Sequence, residues 1–490
     1  MSAGLRQADQ LARLFARQGH ELALVGGQVR DAFLARSHSD FDLTTDARPE
    51  RVLEITRQWA DSTWPVGIRF GTVGLRKGDT LFEITTYRSE QYESSSRHPD
   101  VRYETSLEAD LSRRDFTVNA MAVRLPGNEL VDPFGGLTDL RHKVLRTPGS
   151  AEDSFNDDPL RMLRAARFVA ELGLRPVPEV TAAMTKLAGR LQIVSAERIA
   201  AELTKLLRAS RPGGPAAGID LLVRTGVADY VLPEVPKLRL EVDEHHRHKD
   251  VYRHSLTVLD QAIELEERYG LERDLRLRLA ALLHDIGKPD TRTLLPGGRV
   301  AFHHHDTKGA KLARKRLREL RLPGDVTADV AKLIGLHLRF HGYGSGDWTD
   351  SAVRRYVTDA GPMLSRLHAL TRADCTTRNR AKAQRLARSY DALEQRIADL
   401  EKQEELAAIR PDLDGNEIMG VLGIKPGPVV GQAYQHLLDL RMEHGPLTRE
   451  QAVQELLRWA RESGLAVSGP GDGAGGPGPG PGPGPTLAEG

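Results

Sequence analysis

Strand-like patterning stops near residue 150 of this 490-residue chain. Before that point "ELALVGG", "DFDLTT", "TVGLRK", "LFEITTYR" and "MAVRL" alternate or cluster apolar residues as short strands do. A helix over 5–18 precedes them, with Leu11, Leu14 and Phe15 at helical spacing. From about 155 onward the apolar spacing is helical, as in "RMLRAARFVAEL", "ERIAAELTKLLRAS" and "GIDLLVRTG". Such a chain can build a sheet only at its N-terminal end and must bury the rest between helices, so the expected class is α+β. The expected divisions are a mixed head over 1–150, a helical neck over 151–240, a His-rich helical region over 241–380 and a helical tail over 381–465. In the tail helix, about 381–408, Leu386, Tyr390, Leu393, Ile397 and Leu400 repeat with a coiled-coil spacing, for a hairpin arm or a dimer zipper. The Gly/Pro-rich end, 466–490, cannot bury a core and is expected to be disordered.

Composition narrows the classes. The 69 basic and 68 acidic residues leave a net charge of +1, so a nucleic-acid partner needs a local basic patch. "RKRLRELR" and "RNRAKAQR" are such runs, or else solvated helix faces. The single Cys375 excludes an intrachain disulfide framework and suits a reducing cytoplasm. No apolar run is long enough to span a membrane, and the charged N-terminus does not read as a signal peptide.

"LVGGQVRDAFLARSHSDFDLTT" orders a strand, Gly26-Gly27, a helix, and Asp40-Phe41-Asp42. A glycine pair at a strand end lets backbone N–H groups approach phosphate oxygens. Arg30 can add charge-assisted bonds. Asp40 and Asp42, two apart on a strand, face the same way and can hold the Mg²⁺ ions that phosphoryl transfer uses. Alone, a GG turn is usually a turn and a DxD pair a surface pair; their order within one segment gives the functional reading. Glu83, in "LFEITTYR", is a candidate third catalytic carboxylate, or a solvated strand residue. In "RRDFTVNAMAV", Arg114 could reach a triphosphate, while Asn119 reads as structural.

"LVGGQVRD…DFDLTT", "FGTVGL", "RRDFTVNAMA", "DPFGGLTDLRHKVLR" and "DDPLRMLRAARF", in this order, resemble the class II tRNA nucleotidyltransferases, the CCA-adding enzymes. The likeness is detailed over about residues 20–240 and looser to about 465. It implies a polymerase-β-like head followed by helical neck, body and tail. It implies Mg²⁺-dependent addition of C, C and A to tRNA from CTP and ATP, with release of pyrophosphate and no nucleic-acid template. By position, Asp40 and Asp42 match metal ligands; Gly27, Arg30, Arg114, Asp158, Arg161, Arg164 and Arg167 match nucleotide-binding residues. The family usually has Glu where this chain has Asp157. The resemblance also implies that the polar segment from about Arg88 to Asp110 is a mobile loop that helps the switch to ATP.

The ladder Asp158, Arg161, Arg164, Arg167 could be an ion-paired solvated face. On one helix, three-residue steps would put Asp158 and Arg161 on nearly the same face and let Arg164 and Arg167 drift aside, toward ribose or phosphates. A carboxylate only accepts and a guanidinium only donates. Cytosine and adenine each present an amino donor beside a ring acceptor and fit that edge; guanine and uracil present the reverse. A wrong base would leave charged groups unpaired at about 1–3 kcal/mol each, enough for discrimination of order 10⁴.

Ten of the 17 histidines fall between His245 and His341. His254, His284-Asp285 in "LLHDIGK", and Asp374 make the H…HD…D pattern that resembles HD-type phosphohydrolases. Two imidazoles and two carboxylates suit a divalent transition metal that activates water against a phosphate ester. Lys288 could contact phosphate, and His305 and His337 could join a second metal. The substrate could be a 2′,3′-cyclic phosphate, a 2′-phosphate or another phosphomonoester. The plainer reading is a structural metal in an RNA-binding body, with Cys375 a buried thiol.

The leading expectation is a CCA-adding enzyme with an HD domain. A poly(A) polymerase, an A-only or CC-only specialist, and an HD phosphohydrolase with an RNA-binding head are the alternatives. Phe70-Gly71-Thr72-Val73 favours the CCA branch over the poly(A) polymerases. The oligomeric state is not legible.

Overall fold

The period-two segments pair into a seven-stranded sheet of order β3-β4-β5-β2-β1-β8-β9. Its strands are β1 (Leu22–Val25), β2 (Asp40–Thr45), β3 (Ser62–Gly67), β4 (Thr72–Lys77), β5 (Thr80–Thr86), β8 (Ala122–Leu125) and β9 (Glu129–Val131). Between them stand α1 (Ala3–Arg17), α2 (Gly27–Phe33), α3 (Pro49–Thr56) and α4 (Leu107–Ser112). The computed structural model describes residues 3–36, 40–67, 71–91, 100–103, 106–240, 250–296, 300–342, 348–376, 379–404 and 410–465. Phe70 and the segment 466–490 lie outside them.

Alternation decides which face each strand side chain takes. Phe41, Leu43, Val73, Leu75, Phe82 and Ile84 join Leu11 and Phe15 of α1 and Val52 of α3 in one core. Each such Leu or Phe contributes about 1.5–3 kcal/mol by leaving water. Ala23, Val25, Tyr87 and Ala122 point the other way and pack on Leu107 and Leu111 of α4. Asp40, Asp42 and Glu83 belong to that second face and are exposed.

Two parts of the head differ from expectation. β3, "STWPVG", carries Pro65 and reads poorly as a strand, but it is an edge strand with a register shift between Trp64 and Gly67. A missing N–H is tolerated at an edge. Second, the segment expected to be a loop has paired ends: β6 (Arg88–Gln91) and β7 (Asp100–Tyr103) form an antiparallel hairpin. Residues 92–99, between them, lie outside the described residues.

Helices follow, as expected: α5 (Gly136–His142), α6 (Ala151–Asp157), α7 (Arg161–Leu172), α8 (Pro178–Leu187), α9 (Ala196–Leu207), α10 (Gly214–Arg224) and α11 (Ala228–Val231). Next come α12 (Val251–Leu265), α13 (Leu275–Leu283), α14 (Lys288–Thr291), α15 (His305–Glu319) and α16 (Gly324–Leu336). A small hairpin, Arg292–Leu294 with Val300–Phe302, interrupts this run. The described residues within 1–338 and 365–376 form one compact unit; those within 339–364 and 379–465 form the other. The head, neck and most of the His-rich region therefore share a unit, and the stretch 339–364 groups with the tail. In the second unit the apolar seam of Arg380–Glu404 is covered from within the chain: Tyr390 stacks on Phe340 at 3.8 Å, and Leu393, Ile397 and Leu400 are buried.

Asp115 joins the head to the neck. Its Oδ2 accepts from Arg164 Nε at 2.8 Å and Nη2 at 2.5 Å, and its Oδ1 from Asn119 Nδ2 at 2.9 Å. Burial pushes this carboxyl up, but Arg164, Asn119 and Arg161 outweigh it and hold it at about 2. A depressed carboxyl stabilises the fold above its unfolded value, near 3.9, and that stability drains as pH falls toward the folded value. Asp115→Asn should cost about 2 kcal/mol at neutral pH. In urea denaturation the gap to the wild type should stay constant above about pH 5 and narrow between about pH 4 and 2. A gap independent of pH would show that the pairing charge is not its source.

Candidate active site and metal centre

Asp40 and Asp42 lie on one face of β2, and Glu83 lies opposite Asp42 on the parallel strand β5. Three carboxylates thus share one open patch. Glu83 is raised above its ordinary value, first by burial and then by the charges of Asp42 and Asp40. Three carboxylates gathered on one sheet face have the donor chemistry of a divalent-cation site. The chain brings the sequence-predicted acids together.

The glycine turn stands beside them. Gly26 has φ of 73° and ends β1, and a Cβ there would lie 3.0 Å from Arg114 Nη1. Arg114 is tethered by Nη2 to the buried Asp110 at 3.3 Å, and its buried Nε has no hydrogen-bond partner. Asp110 also binds Arg113 and the backbone N–H of Arg88. It was not expected as a functional residue, although its spacing to Arg113 and Arg114 is that of helix neighbours. Arg30 is turned inward: it donates to Asp31 at 2.7 and 2.9 Å and to Asn119 Oδ1 at 2.7 Å. Asn119 is structural, as read.

The ladder is not four rungs of one helix. Asp158 is extended, at φ −138°, in the break between α6 and α7. Its Oδ1 accepts from Leu160 N at 3.1 Å and its Oδ2 from Arg198 Nη2 at 2.8 Å. Arg161 donates to Ser154 Oγ at 2.8 Å and to the Arg113 carbonyl at 2.6 Å. Arg164 goes to Asp115. Arg167, nearly buried, is held by Glu202 at 2.6 Å and Glu171 at 2.8 Å. A helix break after Asp157 leaves room for Pro159, which α6 could not continue through.

In the His-rich region, His254 Nε2 lies 2.9 Å from Asp374 Oδ1 and 3.3 Å from His284 Nε2. His284 Nε2 is also 3.3 Å from Asp285 Oδ2. His254, His284 and Asp285 offer ligand atoms to one point; Asp285, His305 and His337 offer them to a second. Three rings have the same anchor: Nδ1 of His284, His305 and His337 meets the carbonyl three residues back, at 2.9, 2.8 and 2.6 Å. That leaves each Nε2 facing inward. His337 Nε2 is buried without a hydrogen-bond partner. Gly287 permits the approach, since a Cβ there would collide with the His305 carbonyl. Lys288 Nζ is 2.9 Å from Asp285. Burial lowers His284, but Asp285 and Asp374 raise it to about 10; burial and then His284 lower His337 to about 4. Thr376, 3.0 Å from His254 Nδ1, was not anticipated. Cys375 is half-buried.

Three families match the chain: the poly A polymerase head domain over residues 22–146, the probable RNA and SrmB-binding site of polymerase A over 173–238, and the HD domain over 251–379. The chain is 35% identical to the A-adding tRNA nucleotidyltransferase of Deinococcus radiodurans, over 90% of this chain and 96% of that one. It is 31% identical to the CCA-adding enzyme of Anoxybacillus flavithermus, over 94% and 98%. The chain belongs to the tRNA nucleotidyltransferase family. Among solved structures, the Bacillus stearothermophilus CCA-adding enzyme in complex with CTP is similar with a TM-score of 0.67 and 25% identity, covering 95% of this chain and 99% of that chain. This tRNA nucleotidyltransferase therefore has the fold class, the polymerase-type head and the HD domain expected from its motifs. No helix among its described residues is long and apolar enough to cross a membrane.

Gly26→Ala would force an L side chain into the left-handed region and against Arg114. The expected cost is about 1–3 kcal/mol of stability, read by urea unfolding; an unchanged unfolding midpoint would show that the turn tolerates the side chain.

Proposed function

We propose that this enzyme completes tRNA 3′ ends by adding C, C and A from CTP and ATP. The observation that carries the reading is the pairing of a three-carboxylate patch with a separately held acceptor and donor, Asp158 and Arg161. Asp40 and Asp42 would hold Mg²⁺, which supplies Lewis acidity at the attacking and leaving oxygens. The tRNA 3′-oxygen forms a bond to the α-phosphorus of the incoming nucleotide, and pyrophosphate leaves. Glu83, raised by burial and then by Asp42 and Asp40, is suited to take the proton from the 3′-hydroxyl. Arg114, with a spare buried N–H, faces the glycine turn where the triphosphate would lie. Asp158 accepts from the base amino group and Arg161 donates to the adjacent ring nitrogen, so cytosine and adenine enter and guanine and uracil do not. Arg30 and Arg167, engaged by carboxylates inside the fold, serve the site by holding its walls. The reaction and its compartment, the cytoplasm, would be those of ordinary tRNA maturation.

A second reading has a specific observation behind it: an A-adding relative at 35% identity. CTP alone, ATP alone and both together, each with tRNA ending before and after CC, separate the two. Growth by three nucleotides only with both supports full addition; extension of the CC-ended tRNA alone supports the A-only enzyme. In either case Asp40→Asn or Asp42→Asn should lower incorporation by at least about 10²-fold. Undiminished incorporation would remove the head from the chemistry.

We also propose that His254, His284, Asp285 and Asp374 hold a divalent transition metal for phosphomonoester or 2′,3′-cyclic phosphate hydrolysis. Asp285 would extend the site to His305 and His337, whose spare Nε2 fits a ligand better than a core residue. A bound metal supplies an activated water there; Lys288 would meet the phosphate. Elemental analysis should find about two transition-metal ions per chain and about one in His337→Ala. Asp285→Asn should abolish hydrolysis while nucleotide incorporation persists. Equal metal content in wild type and His337→Ala would confine the site to the four H…HD…D residues.

A further inference from the structure

Asp158 and Arg161 carry opposite charges three residues apart, on either side of the break that opens α7, so an ion pair between them would need no element to move far. Joined to each other they would satisfy the acceptor and the donor that a base needs. Among the described residues no ion pair links them; each is held by a third party instead. Arg198, at the start of α9, grips Asp158 Oδ2 at 2.8 Å while the Leu160 N–H grips Oδ1 at 3.1 Å. Ser154 Oγ and the Arg113 carbonyl draw Arg161 toward α6 and the head.

We propose that Arg198 is a positioning residue for base selection: it restrains the Asp158 carboxylate so that it cannot collapse onto Arg161. This deepens, and rests on, the reading of Asp158 and Arg161 as the base-selecting pair. The donor and acceptor inventory supports it. An ionised carboxylate offers about four lone-pair sites and a guanidinium five N–H groups. The contacts above occupy two of each, so both groups keep capacity for a ligand while their planes are fixed. Two donors from different elements, α9 and the turn into α7, restrain the carboxylate in two directions. The ligand chemistry selected is a base edge with an amino donor beside a ring acceptor, as in cytosine and adenine. Arg198 does not itself read the base; its role is to keep the edge open. Its side chain is 53% exposed, so its removal leaves no large cavity.

The test is the kcat/KM of the full-length enzyme for each of the four triphosphates on 3′-truncated tRNA. In Arg198→Ala the preference for CTP over UTP and for ATP over GTP should fall at least about tenfold. The KM for the correct nucleotides should rise more than kcat falls, since the loss is in the ready conformation of the site. Arg198→Lys should recover most of the preference, because a cation again stands at Oδ2. A preference ratio taken within one preparation does not depend on the fraction folded, so a merely structural arginine would not move it. Asp158→Ala is run in parallel. Lost preference in Asp158→Ala with unchanged preference in Arg198→Ala overturns the positioning role alone. Unchanged preference in Asp158→Ala overturns the base-reading assignment beneath it. If Arg198→Lys is as impaired as Arg198→Ala, the guanidinium fork itself contacts the substrate, and the positioning role is again overturned.

Discussion

Three guanidinium groups crowd one aromatic ring: Arg30, Arg164 and Arg167 stand 5.3, 5.6 and 4.3 Å from the centre of Phe168. Such a cluster cannot persist without matching negative charge. Asp31, Asp115, Glu202 and Glu171 supply it from the head, from α9 and from α7 itself. The result is one continuous polar chain, from Asp31 through Arg30, Asn119, Asp115 and Arg164 to Glu202 and Arg167. Burying so many charges adds little net stability, because desolvation offsets most of the attraction. What the network does impose is register. A shift of α7 by one turn against the head would strand Asp115 or Glu202, at several kcal/mol. The break that carries Asp158 is thereby set at a fixed distance from the carboxylates on β2 and β5.

The His-rich centre solves a different problem. Imidazoles that face a common point would drift toward any available carboxylate. The carbonyl three residues back holds Nδ1 in three of the rings, which fixes the tautomer with Nε2 directed inward. His284 and His337 then sit in opposite regimes: two aspartates hold the proton on His284, and burial beside His284 keeps His337 neutral. His254, His284 and Asp285 would hold a cation at the first position, and there metal binding and protonation of His284 would compete.

How much of this was legible follows from the range of each interaction. The strands at the sheet centre and the neck helices announce themselves through period and local spacing, and the structure places them as read; the H…HD…D residues, with His254 and Asp374 120 residues apart, were legible only through their resemblance to HD-type phosphohydrolases. Asp40 and Asp42 were legible for the same reason: two residues on one strand face need no knowledge of the rest. Glu83 needed the β2–β5 pairing, which spacing suggests but does not determine. The ladder misled because three-residue spacing is only a helix face if the helix is unbroken, and Pro159 breaks it between the first two rungs. β3 was hidden by Pro65, harmless only because the strand is at an edge. Arg198 and Glu202 left no local signal at all: their partners lie 40 and 35 residues away, and α9 reads as an ordinary amphipathic helix.

That helix has a second constraint. At its C-terminal end, Arg278 of α13 donates to the carbonyls of Leu207 and Ala209 at 2.5 and 2.9 Å, while Glu266 neutralises it at 2.6 and 2.7 Å. Arg278 is 1% exposed, so this is a buried charge satisfied by a carboxylate and by helix-end carbonyls that would otherwise lack donors. Arg198 and Leu207 are nine residues apart, about 14 Å along the axis. A helix pinned at one end by the HD region and contacting Asp158 at the other transmits position, since its hydrogen-bonded backbone does not stretch. Helix α13 of the HD region is therefore a fixed support for α9, and this buried contact is one of those that hold neck and HD region in one compact unit although their sequence patterns differ.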